Sequence, residues 1–125
     1  MKHFIDINNL KKKEIDKIIL LAKKIKKNPK KYSSSCKDKT LGLIFEKQSL
    51  RTRLSFNVGM QKLGGSVLEL QSKDIGFDNK REKAEDVLNV LSQFIDFLMI
   101  RNDNHTQLVN LSKEKILPII NGLTE

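Results

Sequence analysis

Leu41-Gly42-Leu43-Ile44-Phe45, followed at once by Glu46-Lys47-Gln48-Ser49-Leu50-Arg51-Thr52-Arg53-Leu54-Ser55-Phe56, is the stretch on which the fold turns. The first run is short, continuous and apolar, as a strand buried on both faces is. The second opens an amphipathic helix that stops at Gly64-Gly65, where glycine suits the left-handed cap. Hydroxyls and guanidinium groups therefore stand where a strand ends and a helix begins. The first N–H groups of a helix lack intrahelical partners, and the helix dipole favours negative charge there. The junction is an anion site in physical terms.

Working outward, the pattern repeats. Strands are expected at 40–45, at Ser66-Val67-Leu68-Glu69-Leu70, at Phe97-Leu98-Met99-Ile100 and from Ile116 to Ile120. Helices are expected at 50–63, 82–93 and 105–112, with Ala84, Val87, Leu88 and Leu91 facing inward on the second. A loop containing Gly76, Asp78 and Asn79 separates the second strand from the second helix. Alternating short apolar strands and helices imply an α/β fold: a parallel four-stranded sheet with helices on both faces, in a single domain. Before this core (40–125), a helix over about 10–27 is expected, capped by Asn8 or Asn9. Its stripe of Ile15, Ile18, Ile19, Ala22 and Ile25 should pack inward, and Asn28-Pro29 ends it. Residues 28–39 form a polar connector, with Ser33 to Ser35 as a flexible stretch.

Ligands on parallel sheets bind beyond the carboxyl ends of the strands. Ser49 to Arg53 lie beyond the first strand, Arg101 directly after the third, and Asn121-Gly122 after the fourth. All should meet on one edge. The chain has 20 Lys and only 4 Arg (Arg51, Arg53, Arg81 and Arg101), so two of its few arginines fall in one turn. A guanidinium grips phosphate in two-pronged fashion and an ammonium does not. The alternative for these positions is a helix start decorated with solvated charge.

The net charge of +9 invites a nucleic-acid reading. Its distribution opposes one. Residues 1–39 hold 13 Lys against 4 acidic residues, which is the whole excess, and the remainder is balanced. The basic helix there has no Arg and one aromatic, Tyr32, near its end, whereas single-strand stacking needs aromatics and base readout favours Arg. Nucleic acid is not the expected partner. A single cysteine, Cys36, excludes an internal disulfide and a cysteine metal cluster, and His3 and His105 lie far apart in sequence. They give no recognisable zinc spacing. No stretch approaches the roughly 20 apolar residues of a membrane span. The start of the chain has no signal-peptide h-region, so the expected location is the cytoplasm.

The run from Phe45 to Phe56, continued by Gly59-Met60-Gln61-Lys62-Leu63-Gly64-Gly65, resembles the Ser-Thr-Arg-Thr-Arg signature of the carbamoyltransferases. Leu98-Met99-Ile100-Arg101 looks like the family's second phosphate-binding arginine. Pro118-Ile119-Ile120-Asn121-Gly122-Leu123 and His3-Phe4-Ile5-Asp6 resemble the ornithine branch. The resemblance spans nearly the whole chain and implies its carbamoyl-phosphate-binding domain. By resemblance, Ser49 and the backbone N–H groups from Leu50 onward cradle phosphate, and Arg51 and Arg101 neutralise it as the catalytic cations. Thr52 donates toward the phosphate or carbonyl oxygen, and Arg53 holds the loop through a carboxylate. The implied reaction carries the carbamoyl group from carbamoyl phosphate to the side-chain amine of ornithine, giving citrulline and phosphate. The resemblance implies no metal or organic cofactor, and a trimer formed through this domain.

Departures from the family pattern shape the alternatives. Gln48 stands where Pro is usual, and Leu50 replaces the first Thr of the signature. The loop 71–81 lacks the usual Gln and Gly-rich pattern and offers Lys80 and Arg81 instead. Glu125 falls just before the family's His-Pro-x-Gln motif, and the ornithine-binding domain is absent, so ornithine requires a second domain or chain. His105 reads as a surface or capping residue, not a replacement for the motif's His. One alternative is a non-catalytic module derived from the family that binds a phosphate ligand or a partner. Another is a nucleic-acid binder acting through the basic helix.

Overall fold

A computed structural model describes residues 2–75 and 84–123. Four strands run in parallel in the order β2-β1-β3-β4: β1 Thr40–Phe45, β2 Ser66–Leu70, β3 Phe97–Arg101 and β4 Ile119–Asn121. The helices are α1 Lys12–Lys27, α2 Leu50–Lys62, α3 Ser72–Ile75, α4 Ala84–Ser92 and α5 His105–Lys113. The chain leaves β1 for β2 on one side, then crosses back over β1 to place β3 and β4 on the other. The winding direction therefore reverses between β1 and β3, which opens a crevice at their carboxyl ends.

The central strands β1 and β3 are apolar because both of their faces are covered, whereas the edge strand β2 is largely exposed. On one face Ile44, Leu98, Ile100 and Ile119 pack with Val87 and Leu88 of α4 and Leu108 and Leu111 of α5. On the other, Leu41, Leu43 and Met99 pack with Met60 of α2, with Phe56, Phe97 and Ile120 half-buried beside them. Gly42 lies between layers in tight contact: a Cβ there would stand 2.7 Å from Ile95 Cδ1. Gly64 follows the end of α2 at φ +85°, and a Cβ on it would meet the Ser33 carbonyl oxygen at 2.5 Å. Glycine is required there on both counts.

Several expectations change in detail. Neither Asn8 nor Asn9 caps α1. Both lie in a separate 3-10 turn, Ile7–Asn9, capped by Asp6, whose carboxylate accepts from the Asn8 N–H at 3.0 Å. Lys11 is the residue before α1, and Glu14 reaches back to accept from its N–H at 3.3 Å. The Ile stripe of α1 packs inward only in part: Ile15 and Ile25 are half-buried, Ile18 and Ile19 stay exposed, and no residue of α1 is fully buried. Its local periodicity made a good helix but could not supply a surface to lie on. Strand β4 is shorter and later than the apolar run 116–120, because Lys115 turns at φ +53° and pairing begins only at Ile119. Ser33 to Ser35 lie in consecutive turns packed beneath Gly64. Gly76, Asp78, Asn79, Lys80 and Arg81, and the expected start of the helix at 82, lie outside the described residues.

The N-terminal segment acts as a further edge of the sheet. The Phe4 N–H donates to Ile119 O at 2.8 Å, and the Asn121 N–H donates to Phe4 O at 2.7 Å. His3 Nδ1 accepts from the Ile119 N–H at 3.0 Å, so the imidazole must be neutral at that nitrogen. Burial, and secondarily nearby positive charge including Lys115, pushes its pKa below the ordinary value.

Candidate active site

Ser49 is extended (φ −154°, ψ 110°) and is the N-cap of α2. Its hydroxyl accepts from the Thr52 N–H at 3.4 Å and donates to Thr52 Oγ1 at 3.0 Å. That fixes the first turn from within, so the remaining free N–H groups of the turn are aimed outward in a defined direction. Leu50 is 71% exposed and brings only its backbone to this turn.

Arg101 is the last residue of β3, not the first beyond it, and its Cα lies opposite that of Phe45 in the ladder. Its carbonyl accepts from the Glu46 N–H at 2.9 Å, which ties the β1 exit to β3. Its Nη1 donates to Thr52 Oγ1 at 3.0 Å and to Gly122 O at 3.2 Å. The guanidinium thus bridges the first turn of α2 and the turn after β4, from a strand that sits between β1 and β4. Its Nε is buried and has no hydrogen-bond partner. An orphan donor on a fixed cation is costly unless a ligand completes it.

Arg51, Thr52, Ser55 and Arg101 line an open cavity of about 980 Å³ together with Asp6, His105, Asn121 and Gly122. This is the crevice at the reversal of winding. Of the five residues assigned to phosphate from the sequence, Arg51, Thr52 and Arg101 line it. Ser49 and Leu50 do not; Ser49 bonds to Thr52. Arg53 faces elsewhere. Its Nη2 donates to Gln48 Oε1 at 2.8 Å, its Nε lies 3.4 Å from Glu69 Oε1, and its guanidinium sits 5.3 Å from the Phe45 ring centre. It clamps the turn from the far side.

Sequence reasoning missed Asp6 and Asn102, and it placed Asn121 on this edge without a role for its side chain. Asp6 lines the cavity, with its carboxylate 3.9 Å from His105 Nε2, so His105 is a cavity residue as well as the first residue of α5. Asn102 is buried, donates to Gln107 Oε1 at 2.8 Å and accepts from the Asn104 N–H at 3.2 Å, which fixes the turn from Arg101 into α5. The only signal for it was an amide directly after an apolar strand and two residues before a helix cap. Asn121 uses its side chain twice: Nδ2 donates to Ile5 O at 2.8 Å, and Oδ1 accepts from the Leu123 N–H at 2.9 Å. It thereby positions the turn whose Gly122 carbonyl holds Arg101. Among the described residues no group of three His, Cys, Asp or Glu is placed to hold a metal ion, and no helix is long and apolar enough to cross a membrane.

The family model for the aspartate/ornithine carbamoyltransferase carbamoyl-P binding domain matches residues 2–125. The chain belongs to this family. It is 45% identical over 127 residues to an ornithine carbamoyltransferase of Campylobacter fetus subsp. fetus, covering 100% of this chain and 41% of that protein. The crystal structure of an anabolic ornithine carbamoyltransferase from Campylobacter jejuni superposes with a TM-score of 0.86 at 38% identity, over 100% of this chain and 40% of that one. A structure of N-acetyl-L-ornithine transcarbamylase is also similar, with a TM-score of 0.83 at 28% identity, over 99% and 43%. This carbamoyltransferase domain thus spans about two fifths of the length of the relatives it matches.

Proposed function

We propose that the chain binds carbamoyl phosphate in the crevice between β1 and β3 and serves as the carbamoyl-phosphate half of an ornithine carbamoyltransferase. The observation that carries this reading is the convergence of Arg101 and Thr52 at 3.0 Å on one wall of a cavity that Arg51 also lines. A phosphate there receives two guanidinium groups, and the exposed N–H groups of the α2 start add a fixed positive dipole.

The chemistry needs little more from this half. The δ-amine of ornithine attacks the carbonyl carbon of carbamoyl phosphate and a tetrahedral intermediate forms. The bond from carbon to the bridging oxygen then breaks, phosphate leaves with that electron pair, and the amine nitrogen loses a proton. Charge gathers on the carbonyl oxygen and on the departing phosphate. Arg51 and Arg101 stabilise the phosphate, and Thr52, whose oxygen already accepts from Arg101, is free to donate its proton to a ligand oxygen. Positioning and electrostatics suffice, without a covalent nucleophile. Ornithine needs polypeptide outside this chain. The likeness to both ornithine and N-acetylornithine enzymes supports assigning the choice of amine to that other part. A cytoplasmic homo-oligomer, a trimer by family resemblance, completes the reading.

Calorimetric titration with carbamoyl phosphate, against inorganic phosphate as control, tests it. Saturable binding tighter than that of phosphate is expected. Arg51→Ala should weaken it roughly tenfold to a hundredfold, since a charge-assisted hydrogen bond is worth about 1.5–3 kcal/mol. Unchanged affinity in Arg51→Ala would overturn the site. Absence of binding by a folded sample would favour the alternative, a partner-binding module derived from the family.

A further inference from the structure

Arg101 does not orient itself. A guanidinium grips phosphate in two-pronged fashion only when its plane is set, because its donors form a rigid fork. Here Nη1 donates to Thr52 Oγ1 at 3.0 Å and to Gly122 O at 3.2 Å. The first anchor is a rotatable hydroxyl, which also accepts from Ser49 Oγ at 3.0 Å. The second is a backbone carbonyl, as firm as the peptide plane that carries it. That plane is the unit between Gly122 and Leu123. Its carbonyl accepts from Arg101, and its N–H donates to Asn121 Oδ1 at 2.9 Å.

The plane is held against its local preference. Leu123 stands at φ +105°, a conformation that bulky L residues rarely adopt. A flip of the plane would return Leu123 to negative φ, and Gly122 on the other side offers little resistance to it. The same flip would turn the Gly122 carbonyl away from Arg101. The Gly122 N–H is bonded to Ile100 O at 2.8 Å, but that N–H belongs to the preceding plane. The Asn121 side chain is itself aimed by the N-terminal segment. Its Nδ2 donates to Ile5 O at 2.8 Å, and the Asn121 N–H donates to Phe4 O at 2.7 Å. We propose that Asn121 is a positioning residue for Arg101: aimed by Phe4 and Ile5, its amide locks the Gly122–Leu123 peptide in the orientation that sets the guanidinium plane. The N-terminal segment thereby belongs to the anion site as a brace. The effect on carbamoyl phosphate rests on the functional reading above; the locked peptide does not.

Nitrogen NMR of the arginine guanidinium groups tests this without any ligand, with Arg101→Lys assigning the Arg101 signals. Rotation of Arg101 about its Nε–Cζ bond should be faster in Asn121→Ala than in the native chain by about threefold to tenfold, the equivalent of one net hydrogen bond. Leu88→Ala, which loosens the core away from this turn, should leave that rotation unchanged. If Asn121→Ala does not fold, Asn121→Ser is read in its place, with faster rotation again expected. Unchanged rotation in a folded Asn121 variant overturns the proposal, because Thr52 would then hold Arg101 alone. Equal acceleration in Leu88→Ala overturns it as well, since general loosening would be the cause. Calorimetry with carbamoyl phosphate is read separately. The Asn121 variant should bind it about threefold to tenfold more weakly than the native chain, and unchanged affinity overturns the positioning role. If the native chain itself does not bind carbamoyl phosphate, the functional reading fails, and the rotation alone decides whether Asn121 sets Arg101.

Discussion

Helices α1 and α4 have equally clear apolar stripes and opposite fates. In α4, Val87 and Leu88 are buried against Ile44, Leu98 and Ile100, and in α1 nothing is buried. Periodicity reports that a helix has an apolar side. Whether a surface exists for that side depends on what else the chain builds. For α4 the sheet provides it within this chain. For α1 the chain provides only part of one.

The most direct way to break that contrast is mutation of one leucine on each helix. Leu88→Ala should cost about 2–5 kcal/mol in urea unfolding, as large-to-small changes in a filled core do. Leu21→Ala should stay within about 0.5 kcal/mol, because an exposed position loses little packing and alanine favours helix. Comparable losses would show that α1 is as well packed as α4. The caps give a second, smaller contrast. Ser49→Ala should cost about 0.5–2 kcal/mol through loss of the α2 cap, and it should also weaken carbamoyl phosphate binding, since Ser49 positions Thr52. Glu14→Ala, at the start of α1, should cost less than Ser49→Ala and leave that affinity unchanged.

His3 sharpens the comparison from the side of the N-terminal segment. Its pKa is lowered in the folded state, so its contribution is complete above the ordinary histidine value near 6.5 and is lost as pH falls through and below it. The unfolded chain binds the extra proton, so stability declines on acidification. Thermal melts from pH 7.5 to 5 should therefore fall more steeply for the native chain than for His3→Asn. Parallel curves would show that the bond to the Ile119 N–H is not what titrates. The smallest effect is expected at Gln48. Loss of its bond to Arg53 in Gln48→Ala should weaken carbamoyl phosphate binding by a few-fold with little change in melting temperature, and Gln48→Glu, which keeps an acceptor, should restore it.

Much of the site was legible because its elements are local. A strand ending at Phe45, a cap at Ser49 and an arginine at the end of another apolar run are each written in a few consecutive residues. The rule that ligands gather at carboxyl ends then joined Arg101 to Thr52 across 49 residues of chain. Asp6 and Asn102 were not legible in this way. Their roles depend on the N-terminal segment lying along β4 and on a buried turn, and neither leaves a periodic mark. The cap of α1 was misread for a related reason: Asn8 and Asn9 are good caps, but Asp6 claims the Asn8 N–H for a separate turn.

The alternation of strands and helices, the parallel sheet that follows from it, and the clustering of arginine and hydroxyl groups at one strand exit were all written in the linear order of residues. These are local preferences with a fixed period, and they need no knowledge of distant neighbours. It took the folded chain to pin Arg101 between Thr52 and Gly122, to turn Arg53 away from the cavity toward Gln48 and Glu69, and to leave Ile18 and Ile19 of the α1 stripe exposed. Side-chain partners far apart in sequence are chosen by the order in which strands join, and burial is a property of two surfaces, of which a helix carries one.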